Sequence, residues 1–142
     1  MGALVVSSSG RLLGEGFNSV LAQRSSLAHA ELLALKSATE SLNCHRLDGC
    51  TVYCTLEPCV MCMGAMAAHR VSRVVFLCDS PKHGALSRVS LEEGGVFAAP
   101  HRVEVVHECS GGGGPQCAHF DGLQKEAGEL LRTFFSEKRL IK

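Results

Sequence analysis

The sequence has no net charge: fourteen lysines and arginines balance fourteen aspartates and glutamates. No broad electrostatic grip on nucleic acid is therefore visible, so any such contact has to use a local patch or a shaped pocket. No apolar run approaches the ~18 residues needed to cross a bilayer, so no membrane span is expected. The first ten residues lack the charged start and long apolar stretch of a secretory leader. The polar excess of a disordered chain is missing too. Of 142 residues, 46% are hydrophobic and 20% charged, which suits one soluble globular domain over residues 1–142.

Cysteine, by contrast, is abundant, with eight residues. In a small secreted protein that number suggests four disulfides. Without a leader, and with several cysteines inside apolar strand-like runs, the expectation is instead a reducing compartment, the cytoplasm, with thiols used for packing and for metal.

Along the chain, residues 3–6 read as a short strand, 7–10 as a turn, and 11–18 as a returning strand weakened by Gly14 and Gly16, together a hairpin. Residues 28–40 read as a helix, with Leu32, Leu35 and Thr39 on one face. Residues 51–56 alternate, with Val52, Cys54 and Leu56 facing one way. Pro58 is expected at the first position of a second helix over 59–70. Residues 73–78 suit a buried strand, 103–106 a further strand, and 124–139 a closing amphipathic helix with Leu130, Leu131, Phe134 and Phe135 inward. Gly111 to Gly114 followed by Pro115 mark about 107–122 as a glycine-rich surface insertion. Strands alternating with helices imply an α/β fold, a central sheet with helices on its faces.

The residues that carry chemistry are His29-Ala30-Glu31 and Pro58-Cys59-Val60-Met61-Cys62. Each half alone is a weak signal. Together they place one imidazole and two thiols at the starts of two helices, with Cys59 and Cys62 three apart on one face. A helix start favours thiolate. Two thiolates and an imidazole make three ligands for zinc, which prefers four, so one position is left for water, as in a catalytic site. Glu31, two residues from His29, can reach that water without being a ligand and move a proton to a substrate nitrogen. This is the logic of hydrolytic deamination with one catalytic Zn2+ per chain. A thioredoxin-like pair would leave His29 and Glu31 unexplained. A four-cysteine structural zinc would need Cys50 and Cys54, which strand alternation points into the core.

Those strings, extended as Thr55-Leu56-Glu57-Pro58-Cys59-Val60-Met61-Cys62 and Gly64-Ala65-Met66, resemble the tRNA adenosine deaminases of the TadA type, in the cytidine-deaminase-like superfamily. The likeness extends to Gly14-Glu15-Gly16-Phe17-Asn18, Arg73-Val74-Val75-Phe76, His101-Arg102-Val103-Glu104-Val105 and the segment around Phe134-Phe135. The resemblance implies a three-layer α/β/α sandwich with a five-stranded mixed sheet. It implies deamination of adenosine to inosine at the wobble position, with the base splayed out of the tRNA anticodon loop, and a homodimer. It also implies that Asn18 bonds the target nucleotide and that the Ala30 backbone contacts the base. Glu57 and Pro58 would border the substrate, Pro58 through backbone that orients the water. Ser80 would lie in a loop against flanking nucleotides, and Phe134, Phe135, Arg132 and Arg139 would help hold the anticodon loop.

The sequence departs from the family in three places. It starts almost at the first strand, where relatives carry a helix. Asp79-Ser80 stands where the bacterial pattern has Arg-Asp, which bears on tRNA specificity and makes single-stranded DNA a conceivable substrate. The stretch after His107 is longer, and it holds His107, Cys109, Cys117 and His119, candidates for a second, structural zinc. Two alternatives share the chemistry or the fold: a deaminase of free cytosine or guanine, and a partner subunit of a heteromeric tRNA deaminase. Subunits of the latter kind typically lose the glutamate that Glu31 supplies.

Overall fold

The computed structural model describes residues 1–85, 96–97, 101–107, 129 and 133. Within them lie six strands, β1 (Gly2–Val6), β2 (Leu12–Phe17), β3 (Thr51–Cys54), β4 (Arg73–Phe76), β5 (Val96–Phe97) and β6 (Val103–His107). Three helices accompany them, α1 (Val20–Gln23), α2 (Ala30–Leu42) and α3 (Val60–Ala68). The sheet runs β2-β1-β3-β4-β6-β5. The β1–β2 hairpin and the β1–β3 pair are antiparallel, whereas β3–β4 and β4–β6 are parallel, so the sheet is mixed. Five of these strands are the expected ones. The sixth, β5, is a two-residue edge antiparallel to β6. Neither β5 nor the four-residue α1 has a period long enough to read from sequence.

One core cluster joins the inward residues of the sheet, among them Val5, Val52, Val74 and Phe76, to the buried residues of α2 and α3. Both helices therefore cover the same face. On β3, Val52 and Cys54 are buried and Tyr53 is exposed, as alternation requires. Cys50 and Cys54 are both core residues, which removes them as candidates for a structural zinc site.

Of the expected face on α2, Leu35 is fully buried and Leu32 packs against the core, but the buried stripe is completed by Ala30, Ala34 and Ala38, with Thr39 only half-buried. The reason lies across the interface. A Cβ placed on Gly14 or Gly16 would run into the α2 backbone at Ala34 and Ala38, or at Ala30 and Ala34. The two glycines and the alanine stripe thus let helix and strand lie backbone to backbone. A register shift between Val5 and Val6 adds one residue to β2, which is why Leu13 and Gly14 are buried in succession. Of the expected helix over 124–139, Glu129 and Thr133 are described and are helical; the rest of it, including Phe134, and the glycine-rich insertion with Cys109, Cys117 and His119 lie outside the described residues.

Candidate metal centre

The two helices that share a face begin at the same place. His29 is the N-cap of α2 and Cys59 the N-cap of α3, both in extended backbone, and neither side chain bonds its own helix N–H groups. A serine or aspartate at these positions would spend its side chain on capping. Here the side chains are turned toward each other instead. Pro58 is expected at the first helical position, but it precedes the cap: with φ −76° and ψ 168°, Cys59 stays outside the helix. That extended conformation brings its sulfur beside His29. Cys62 follows one turn into α3 and is fully buried.

The donor atoms converge. His29 Nδ1 lies 3.5 Å from Cys62 Sγ and 3.8 Å from Cys59 Sγ, and the two sulfurs are 3.6 Å apart. Zinc with bonds of about 2.3 Å to sulfur and about 2.1 Å to nitrogen would set tetrahedral edges of roughly 3.5–3.8 Å. The three donors therefore fit a zinc ion without rearrangement. Among the described residues, His29, Cys59 and Cys62 are the group able to hold a metal. The described cysteines are all free thiols.

Electrostatics points the same way. Burial pushes the Cys62 thiol far above its ordinary value, and the nearby charge of Glu31 and the adjoining Cys59 push it further. Burial likewise raises Cys54, with Glu31 again adding to the shift. The helix start was expected to favour thiolate, but at Cys62 desolvation outweighs it. A divalent cation reverses that balance, since a coordinated thiol is deprotonated. Glu31, the second residue of α2, is half-buried and close enough for its charge to act on Cys54 and Cys62.

The other candidate residues cluster around this centre unevenly. Asn18 closes β2, its N–H donating to the Met1 carbonyl at 3.0 Å. The Ser19 N–H donates to the Ala28 carbonyl at 2.9 Å, which returns the chain to His29. Ala30 is buried as the first residue of α2. Pro58 is fully buried, and its carbonyl accepts the Ala85 N–H at 2.9 Å. Glu57 is buried as well, with its carboxylate accepting the Ser80 N–H at 2.9 Å. Ser80 is half-buried, and its carbonyl accepts from Gly84 and His83. His107, one of the second-zinc candidates, stacks on Phe76 with ring centroids 4.7 Å apart, and its Nε2 lies 3.5 Å from Asp79 Oδ1. Sequence reasoning missed the contribution of Gly84, whose only signal was a lone glycine after an exposed turn.

Residues 1–78 match the family described as the cytidine and deoxycytidylate deaminase zinc-binding region. The chain is 37% identical over 142 residues to the tRNA-specific adenosine deaminase of Bacillus subtilis, covering 98% of this chain and 77% of that protein. A solved structure from a study of A-to-I editing by tRNA:A34 deaminases superposes with a TM-score of 0.64 and 31% identity over 75% of each chain. A solved guanine deaminase from Nitrosomonas europaea gives a TM-score of 0.62 and 29% identity, over 89% of this chain and 71% of that one. The chain spans only 17% of the tRNA(Ile)-lysidine synthase of Deinococcus deserti, to which 90 of its residues are 47% identical.

Proposed function

The chain belongs to the cytidine and deoxycytidylate deaminase zinc-binding family, and on that premise we propose that its substrate is adenosine at the wobble position of a tRNA anticodon, converted to inosine. The observation that carries the chemistry is the convergence of His29, Cys59 and Cys62, the three donors found together among the described residues, with Glu31 two residues from the histidine. The choice of adenosine in tRNA rests on the similarity to the Bacillus subtilis enzyme across almost the whole chain.

When bound, zinc would lower the pKa of a coordinated water to about 7, so that hydroxide is available at neutral pH. Glu31 accepts a proton from the attacking water and returns it to the amino nitrogen at C6, which leaves as ammonia. Water is consumed, and the ring carbon exchanges nitrogen for oxygen. The caps of α2 and α3 fix His29 and Cys59, so the donors need not be ordered when the substrate arrives. Asn18 bonds the target nucleotide, the backbone of Ala30 contacts the base, the Pro58 backbone orients the water, and Ser80 borders the flanking nucleotides. Phe134 belongs to the same substrate set, which accepts the anticodon loop with the base turned out of its stack.

The working unit is a homodimer. Supporting this, α3 has no polar side chain, and its outward residues Val60, Met61, Gly64 and Ala68 are exposed. Placement in the cytoplasm is consistent with free thiols and with a tRNA substrate; no helix among the described residues is long and apolar enough to cross a membrane.

The likeness to a guanine deaminase supports a second reading, action on a free base. One assay separates the two. Zinc-loaded protein is incubated with an anticodon stem-loop carrying adenosine at the wobble position, its DNA analogue, free guanine and free cytosine. Inosine in the RNA stem-loop is the expected product. Ammonia from guanine or cytosine, with the stem-loop untouched, overturns the tRNA proposal.

A further inference from the structure

Glu57 is a buried acid that the reaction above does not use. It is 7% exposed and stands two residues ahead of Cys59. Around it two segments run side by side. The Glu57 N–H donates to the Cys78 carbonyl at 2.8 Å, the Ala85 N–H donates to the Pro58 carbonyl at 2.9 Å, and Cys59 forms an antiparallel bridge with Gly84. One segment therefore carries a metal ligand, and the other, 78–85, carries a surface turn.

The Glu57 side chain locks the two together. Its Oε2 accepts the Ser80 N–H at 2.9 Å. The same carboxylate fills the space where a side chain at position 84 would begin, since a Cβ on Gly84 would run into both of its oxygens. The turn is tightened from within by the Gly84 N–H to the Ser80 carbonyl at 2.7 Å and the His83 N–H to the same carbonyl at 3.1 Å. Gly84 and Ala85 are buried, while Pro81, Lys82 and His83 are exposed at the tip. A carboxylate is seldom buried unless it is strongly partnered, and a bond from a backbone N–H to a carboxylate is charge-assisted.

We propose that Glu57 is a positioning residue that seats the 80–84 turn against the Cys59 segment and thereby fixes one wall of the reaction pocket. Its carboxylate faces the turn, so the place beside the substrate that the resemblance implies for Glu57 becomes an indirect one, reaching the RNA through the exposed tip at 81–83. This rests on the function proposed above, because the wall is defined by a polymeric substrate that must pass it.

The test compares Glu57→Ala, Glu57→Gln, Gly84→Ala and the double variant of Glu57→Ala with Gly84→Ala. Each is measured for zinc content, for amide exchange across 79–85, and for KM and kcat on the RNA stem-loop. Glu57→Ala keeps one zinc per chain. Its Ser80 and Gly84 amides exchange about tenfold faster or more, and KM rises about tenfold, the scale of one lost bond to a charged group, while kcat stays within about threefold. Glu57→Gln, whose amide oxygen can still accept from Ser80, restores most of both. Gly84→Ala alone reproduces the loss by displacing the carboxylate, and adds little in the Glu57→Ala background.

Wild-type exchange and wild-type KM in Glu57→Ala overturn the proposal. So does loss of zinc with a parallel fall in kcat in both Glu57 variants, or full additivity of the Glu57 and Gly84 changes. Exchange and additivity need no substrate. If the wild type fails on RNA, the proposed function fails, whereas these two readouts still decide the role of Glu57.

Discussion

Replacing Cys62 with alanine removes one donor of the proposed zinc site from a position with no solvent exposure. Two effects follow, and the structure separates them. The metal-free variant loses one buried sulfur from the core, a truncation worth about 1 kcal/mol. For a chain of 142 residues, that lowers the melting temperature by about 2–4 °C. The larger effect is on linkage. A ligand that binds only the folded state stabilises it by about 2.7 kcal/mol at one hundred times its dissociation constant. In a domain of this size, that raises the melting temperature by roughly 5–10 °C. Wild type should show this gap between zinc-saturated and chelator-treated samples. Cys62→Ala should show almost none at the same free zinc, because the remaining His29 Nδ1 and Cys59 Sγ, 3.8 Å apart, make only half a tetrahedron. Scanning calorimetry at fixed free zinc measures both gaps. A zinc-dependent rise of wild-type size in Cys62→Ala would refute the reasoning, since it would place the stabilising ion elsewhere.

Glu31→Ala should retain stoichiometric zinc and the wild-type fold while turnover falls about 10²–10⁴-fold, the usual yield of a positioned acid–base group; metal analysis beside single-turnover kinetics checks this. Gly14→Ala should destabilise the chain by about 1–3 kcal/mol, because its new Cβ meets the backbone of α2 at Ala34 and Ala38; denaturant unfolding reads the loss, and unchanged stability would contradict the close helix–strand packing. Metal-free protein should lose stability as pH rises above about 9. The folded Cys54 and Cys62 thiols are raised above their ordinary value of 9.0, so their contribution is complete below that value and is lost as the unfolded thiols ionise. Zinc affinity should rise with pH over about 6–8, by tenfold per unit from the Cys62 proton alone, as chelator competition would show.

The parts of this protein legible in its sequence are those whose signal is local. Cys59 and Cys62, three apart after a proline, announce a pair of sulfurs at a helix start, and the alternation of Val52, Tyr53 and Cys54 announces a half-buried strand. The joining of His29 to that pair spans 30 residues and is set by α2 and α3 lying on one sheet face. No periodicity carries that information; it is inferred from ligand chemistry, one imidazole and two thiols at helix starts making three donors for zinc. Gly14 and Gly16 misled for a physical reason. Within a strand, glycine reads as weakness, whereas here it gives the room that lets α2 approach. The same holds for α2 itself, where Leu35 is buried as its pattern suggests, but the closest approach to the sheet is made by Ala30, Ala34 and Ala38. Glu57 and Gly84 are illegible in isolation, because each is explained only by the other across a loop closure.

X-ray absorption at the zinc edge tests the central claim most directly. Two sulfurs at about 2.3 Å and two nitrogen or oxygen donors at about 2.0–2.1 Å are predicted, one donor being His29 and the other exchangeable. A shell of four sulfurs, or a zinc shell unchanged when Cys59 or Cys62 is replaced, would contradict it.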